Sequence, residues 1–131
     1  MQERRNFSRI NVKIPFHIVK KSNDKLHPSI MHNLSFADIP IMDLNLSADG
    51  VGVEVPSDSN FAQSDVVGIF LSIATGGATV VFCLYGSVVW VLNGDGEKKM
   101  GIKFINMKKE IEEKINAFVF EKRRKILYIN D

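Results

Sequence analysis

The sequence predicts a mainly β domain, a barrel or a sandwich, that ends in one α-helix. Apolar residues alternate with polar residues along about six short segments, which is the pattern of strands that bury one face. Glycine-rich turn sequences separate several of these segments. Near the C-terminus the spacing of the apolar residues lengthens to that of a helix. Short strands at such close spacing are typical of barrels and sandwiches.

The first predicted strand runs from Ile10 to Ile18, where every second residue is apolar. Pro15 lies inside this strand and lacks an N–H group, so it suits a sheet edge or a bulge. The polar residues 21–40 follow, and we expect them to form an unusually long connection.

Turn sequences place the remaining strands. Residues 41–46 and 51–55 flank a turn that ends at Gly50, which is predicted to take a positive φ. A Gly-Gly pair and an Asn-Gly-Asp-Gly sequence indicate two further turns. Further strands are predicted at residues 67–73, at residues 80–85 with residues 87–92 as their continuation, and at residues 100–105. Trp90 shares the parity of Val88, which predicts that its ring packs in the core.

The last element is predicted to be an amphipathic helix over residues 106–127, capped at its start by Asn106. Basic residues 122–125 lie near its end, where cations complement the helix dipole. Its apolar stripe consists of Ile111, Ile115, Phe118, Val119 and Ile126.

Length and composition predict one folded domain over residues 1–131, divided into a flexible arm (1–9), the strands (10–105) and the helix (106–127). The apolar share of 45% and the charged share of 24% are those of an ordinary globular domain. Cys83 is the only cysteine, so no disulfide can form within the chain. No signal-peptide pattern and no apolar run of about 18 residues is present, which predicts a cytoplasmic protein without membrane insertion.

Three arginines, Arg4, Arg5 and Arg9, precede the first strand. Guanidinium groups bind phosphates and the O6 and N7 atoms of guanine with paired hydrogen bonds, and they also stack on bases. Two arginines four residues apart are common by chance, however, and taken alone they are more typical of a solvated basic terminus.

A second polar motif lies in the predicted turn, where Asn45 and Ser47 precede Gly50 with the spacing Asn-x-Ser-x-x-Gly. The side-chain oxygens of Asn45 and Ser47 can accept hydrogen bonds from the N–H groups of a guanine. The same side chains often form Asx- or ST-turns that only shape a corner of the chain. The sequence leaves both roles open.

Together with Gly86-Ser87-Val88-Val89-Trp90 and Gly101-Ile102-Lys103-Phe104, these two motifs resemble the PilZ family over nearly the whole chain. The resemblance implies a six-stranded antiparallel β-barrel, a split barrel, with a C-terminal amphipathic helix. It also implies a bacterial receptor for the second messenger cyclic di-GMP that acts through an unidentified downstream protein. The site that it implies consists of Arg4, Arg5, Arg9, Asn45, Ser47 and Gly50, with the arginines on an arm that closes over the ligand.

The resemblance further implies the stoichiometry, because an arginine at the position of Arg4 is associated in the family with two intercalated ligand molecules. We therefore expect two cyclic di-GMP molecules per chain. A third guanidinium would offset the repulsion between their four phosphate charges.

Two other functions compete with this interpretation. The first is a PilZ-like adaptor that binds partner proteins without a ligand. The second is a small-barrel nucleic-acid binder, which the net charge of only +2 disfavours. Neither metal-ligand spacing among the three histidines nor a recognisable nucleophile or phosphate-loop motif is present, so we expect no metal, no cofactor and no enzymatic activity.

Overall fold

In the computed structural model of the chain, the described residues are 8–20, 29–32, 39–75 and 77–129. They form a closed six-stranded antiparallel β-barrel with one additional short strand and a C-terminal helix. The elements are β1 (Arg9–Lys20), β2 (Ser29–His32), β3 (Ile41–Ser47), β4 (Gly50–Pro56), β5 (Val66–Thr75), β6 (Ala78–Asn93), β7 (Glu97–Ile105) and α1 (Lys109–Ile129). The predicted fold class is confirmed, and of the two candidate architectures the chain forms the barrel.

The barrel closes through its longest strand. Its strands follow one another in the order β6, β5, β1, β3, β4 and β7, and β7 pairs again with β6. Residues 78–87 of β6 pair with β5, whereas residues 85–93 pair with β7. Residues 87–92 therefore continue the strand of residues 80–85, as predicted. Closure pairs backbone groups that an open sheet would leave at its edges.

Strand β1 contributes to two sides of the barrel. Residues 9–15 pair with β3 and residues 16–20 pair with β5. Pro15 is the last residue paired with β3, and the N–H group of Phe16 donates to the carbonyl of Pro40 at 3.0 Å. The proline thus lies where the strand changes partners, a position that tolerates the missing N–H group. The predicted alternation holds, because Ile10, Ile14 and Phe16 are buried.

The predicted connection 21–40 contains a strand that the sequence pattern did not indicate. Residues 29–32 form β2, which pairs with residues 80–83 of β6. Only four residues long, this strand is too short for an alternation pattern to identify it. Residues 21–28 and 33–38 of the connection lie outside the described residues.

The helix packs against the barrel through the stripe that the sequence predicts. Ile111, Ile115, Phe118 and Val119 are all buried, and α1 contacts β1, β3 and β5. The side chain of Ile126, the fifth member of the predicted stripe, lies outside the described part of the structure. The predicted cap at Asn106 is wrong, because α1 starts at Lys109 and the carbonyl of Lys108 accepts the N–H of Glu112 at 3.0 Å. Among the described residues, none of the helical segments is long and apolar enough to cross a membrane.

Asn106 has a different structural role. Its φ is 53°, so it takes the left-handed conformation between β7 and α1. Asparagine tolerates this conformation better than most residues because its short polar side chain can bond locally. The residue turns the chain out of the barrel and does not begin the helix.

Truncation of Ile115 tests how much the helix contributes to stability. The side chain is 0% exposed, so we expect Ile115→Ala to lower the free energy of unfolding by about 2–5 kcal/mol. Urea unfolding followed by far-ultraviolet circular dichroism measures this. Glu113→Ala, on the exposed side of the same helix, is the control and should stay within about 0.5 kcal/mol of the wild type. An Ile115→Ala variant as stable as this control would contradict the packing described.

Candidate functional site

The outer surface of the barrel carries a broad groove across β1, β3, β4, β7 and the end of β6. Its volume is about 1310 Å³. Three of the residues predicted from the two motifs, Arg9, Asn45 and Gly50, line it. Ser47 lies beneath them with 0% exposure. Arg4 and Arg5, which the sequence also predicts for the site, lie outside the described residues.

Strand register arranges the groove in rows, each crossing from strand to strand. The first, here called the arginine row, consists of Arg9, Ser47, Gly50 and Lys103. The second, the glycine row, consists of Asn11, Asn45, Gly52 and Gly101. Beyond the glycine row, Glu54 of β4 pairs with Lys99 of β7.

Arg9 is held by β3 and the following turn. Its Nε donates to Oδ1 of Asn45 at 2.5 Å, and its Nη2 donates to the Asn45 carbonyl at 3.1 Å. Its Nη1 donates to Oγ of Ser47 at 3.1 Å and lies 3.7 Å from Oδ1 of Asp49. With 23% of the side chain exposed, the guanidinium forms part of the groove floor.

The position of Arg9 corrects the predicted boundary between the N-terminal arm and the first strand. The sequence predicts that residue 9 belongs to a flexible arm, but Arg9 is the first residue of β1 and pairs with Ser47. Backbone pairing and the side-chain hydrogen bonds act together here. The arginine is therefore part of the barrel wall.

Asn45 and Ser47 use their side chains to hold this arrangement together. The hydroxyl of Ser47 accepts from the Asp49 N–H at 3.3 Å and donates to the Asp49 carboxylate, which closes the turn. The amide of Asn45 donates through Nδ2 to Oδ1 of Asn11 at 3.0 Å. Of the two roles that the sequence leaves open, the structure displays the turn-shaping one.

Gly50 is required for a reason other than the predicted one. Its φ is not positive; the described glycines with positive φ are Gly77 and Gly96. Instead, a Cβ at Gly50 would lie only 2.5 Å from the carbonyl oxygen of Ile102 in β7. The glycine thus allows β4 and β7 to approach closely beside the turn.

Trp90 lies in the groove, and the prediction that it packs in the core is wrong. A bulge between Val88 and Trp90 shifts the register of β6 against β7, which changes the direction of the side chains that follow. The indole is 43% exposed and lies across Gly101, where any Cβ would collide with it. Backbone bonds from Ser64 N–H to Val88 (2.8 Å) and from Val88 N–H to Asp65 (2.9 Å) hold the bulge.

The charges of the groove are unevenly distributed. Arg9 and the exposed Lys103 give the arginine row two cations, partly balanced by Asp49. At the other side, Nζ of Lys99 lies 3.6 Å from Oε2 of Glu54. The glycine row between them carries no charge. Such a surface can hold a flat, uncharged ring between a cationic side and an ion pair.

Several residues that line the groove are not among the site residues predicted from the sequence, namely Asn11, Gly52, Glu54, Trp90, Lys99, Gly101 and Lys103. Alternation along β4 and β7 contains the missing signal, because the outward positions there are charged residues and glycines. No group of three His, Cys, Asp or Glu side chains is placed to hold a metal ion in the part of the chain that the structure describes.

Comparison with models of known protein families identifies the family of this chain. A family model described as the PilZ domain matches residues 3–121. No curated protein sequence matches the chain significantly.

Solved structures share the fold. The inhibitor of motility from Bacillus subtilis (MotI/DgrA) superposes with a TM-score of 0.69 at 12% identity, over 95% of this chain and 53% of that protein. This chain thus spans about half the length of that relative. A pathogenic protein from Xanthomonas campestris, described as a tetrameric PilZ domain self-assembled through a helical bundle, superposes with a TM-score of 0.63 at 10% identity, over 93% and 91% of the two chains. Because the family model covers most of its length, this chain belongs to the PilZ domain family.

Proposed function

We propose that the chain is a receptor module for cyclic di-GMP and that the ligand binds in the groove. The observation that carries the proposal is the Arg9 guanidinium, held by Asn45 and Ser47 on the floor of an open groove. Membership of a family of cyclic di-GMP-binding and adaptor domains supports it. The proposal includes no catalytic step.

The guanidinium of Arg9, which Asn45 and Ser47 hold in place, suits the phosphates of the ligand. Cyclic di-GMP carries two guanines and two phosphodiesters. A phosphate of the ligand can pair electrostatically with the Arg9 guanidinium while its hydrogen bonds to Asn45 and Ser47 stay in place. Because these bonds already restrict the side chain, binding costs less rotamer entropy than it would for a mobile arginine. Lys103, in the same row, supplies a second cation for the phosphates.

The glycine row suits the bases. Gly52 has no side chain to obstruct a flat ring, and the Trp90 indole fills the space over Gly101 beside it. Stacking of a base on an aromatic ring contributes about 1–3 kcal/mol in other nucleotide-binding proteins. In the proposed complex, a guanine therefore lies over Gly52 against the Trp90 indole, and the phosphates face Arg9.

The signal reaches a partner through a change of surface. In the proposed mechanism, Arg4 and Arg5 contact the bound ligand and the N-terminal arm orders against the barrel. Since a ligand shifts a conformational equilibrium only by its differential affinity for the two states, these added contacts determine the size of the switch. An unidentified downstream protein then binds the ordered surface.

The alternative function is a ligand-independent adaptor, and the outer side of α1 favours it. Phe120 is 58% exposed there, and Arg123, Arg124 and Lys125 are exposed just beyond it. In the similar Xanthomonas protein, self-assembly is attributed to a helical bundle. For this chain, an adaptor would use the helix for protein contacts and would bind no cyclic di-GMP.

Removal of the Arg9 side chain tests the receptor function. We expect Arg9→Ala to weaken cyclic di-GMP binding by about 30-fold or more, because loss of an arginine that pairs with a buried anion typically costs at least ~2 kcal/mol. Isothermal titration calorimetry of both proteins measures this. GTP is the control ligand and should not bind.

Lys13→Ala is the matched control variant. Lys13 lies on β1, as Arg9 does, and 75% of its side chain is exposed. Its Nζ lies 4.0 Å from Oδ1 of Asp43. The Lys13→Ala substitution removes one cation, as Arg9→Ala does. Comparing the two variants therefore corrects for the general effect of protein charge on the binding of an anionic ligand. Thermal unfolding of each variant shows whether the barrel is intact. Equal loss of affinity in the two variants would refute a specific role for Arg9, and no binding by the wild type would favour the adaptor.

Arg4 is expected to determine how many ligands bind. We predict that the wild type binds two cyclic di-GMP molecules per chain and that Arg4→Leu binds one, because the removed guanidinium no longer offsets the repulsion between the phosphates of two stacked ligands. The fitted stoichiometry in calorimetry gives the answer directly. Two ligands bound by the variant would show that Arg4 has no such role.

The indole of Trp90 provides an optical test of the binding position. Trp90 is the only tryptophan and lines the groove, so a guanine stacked nearby should change its fluorescence. We expect a saturable change on addition of cyclic di-GMP, with a midpoint equal to the calorimetric Kd. Binding detected by calorimetry without any change in the emission of Trp90 would place the ligand elsewhere.

A further inference from the structure

A carboxylate and an ammonium group stand side by side at the far end of the groove. Glu54 and Lys99 occupy opposite positions on β4 and β7, with Oε2 and Nζ 3.6 Å apart. Each side chain is 53% exposed, so a ligand in the groove can reach both groups. Exposed ion pairs of this kind contribute little to stability, which means that the fold does not depend on the pair.

The guanine edge needs two acceptor positions, and the motif residues supply at most one. A guanine presents two N–H donors, N1–H and the N2 amino group, beside the acceptor O6. Oδ1 of Asn45 already accepts from Arg9 at 2.5 Å, which leaves it one lone pair, and the Ser47 hydroxyl is fully buried within its turn. A carboxylate elsewhere in the groove can instead accept both N–H groups.

The spacing of the rows places Glu54 and Lys99 at the right distance. Residues two apart on a strand lie roughly 7 Å apart on the same face. A base over Gly52, stacked against the Trp90 indole that covers Gly101, therefore has one edge near Glu54 and Lys99, the next outward pair of the same two strands. The arginine row lies on the opposite side of the base, where the phosphates are expected.

We propose that Glu54 and Lys99 read the Watson–Crick edge of a guanine and so select cyclic di-GMP over cyclic di-AMP. The carboxylate of Glu54 accepts hydrogen bonds from N1–H and the N2 amino group, and Nζ of Lys99 donates to O6. Adenine has the inverse pattern, because its N6 amino donor would face the ammonium group and its N1 acceptor would face the carboxylate. This inference rests on the proposed receptor function and adds base selectivity to it.

The test compares three ligands on two acid-to-amide variants. Affinities of the wild type, Glu54→Gln and Glu97→Gln are measured for cyclic di-GMP, cyclic di-AMP and cyclic di-IMP, whose base lacks the N2 amino group. Glu97, at the start of β7, does not line the groove, and its amide variant removes the same charge. A lost negative charge alone would strengthen the binding of every anionic ligand.

Base reading has a different signature. We expect the preference of the wild type for cyclic di-GMP over cyclic di-AMP to fall by about 10-fold or more in Glu54→Gln, the usual size of discrimination by a bidentate contact, and to persist in Glu97→Gln. The wild type should also bind cyclic di-IMP more weakly than cyclic di-GMP, whereas Glu54→Gln should distinguish these two ligands much less. Lys99→Met is a second variant that should weaken cyclic di-GMP binding through the loss of the bond to O6.

The outcomes separate this inference from the proposed function. If the wild type binds cyclic di-GMP but both Glu54→Gln and Lys99→Met keep its base preference, the inference is wrong and the receptor function stands. If the wild type binds none of the three ligands, the receptor function fails and the inference fails with it. Thermal unfolding confirms that each variant used in the comparison is folded.

Discussion

The pairing of β6 with β7 is the constraint on which the rest of the structure depends. It closes the six strands into a ring, and within it the bulge between Val88 and Trp90 absorbs the change of register. Without closure, β7 would pair only with β4, and the outer faces of β4 and β7 would not meet the end of β6. The groove therefore exists because the barrel is closed, and the same bulge that permits closure directs Trp90 into the groove.

The polar motifs serve the fold as well as the proposed ligand. The bonds between Arg9, Asn45 and Ser47 tie the start of β1 to the β3–β4 hairpin, and the Phe104 N–H bonds to the carbonyl of Asp49 at 3.0 Å to tie the hairpin to β7. A buried serine hydroxyl needs such partners because an unsatisfied polar group is costly. The motif thus positions the arginine before any ligand arrives, and preorganised groups lose less entropy on binding.

Local periodicity accounts for what the sequence could predict. The alternation in β1 and the stripe of α1 correctly identified Ile14 and Ile115 as buried, since both patterns repeat over many residues. Trp90 was misplaced because one bulge reverses the parity beyond it, and a bulge depends on the partner strand. Similarly, the need for glycine at Gly50 arises from the carbonyl of Ile102, 52 residues later in the chain, so no local pattern could reveal it. Glu54 was missed because only the register of β4 against β7 places it beside Lys99.

The two faces of the strands explain how a fold can persist while its sequence changes. In β4, Val51 and Val53 point into the core, whereas Gly52 and Glu54 between and beyond them face the groove. Inward positions require only apolar side chains of suitable volume, so similar barrels share as little as 10–12% identity with this chain. Exposed outward positions such as Glu54 take no part in that packing and are free to acquire ligand chemistry. Within one strand, packing and the proposed recognition thus fall on alternate residues, so we expect a change such as Glu54→Gln to leave the core intact.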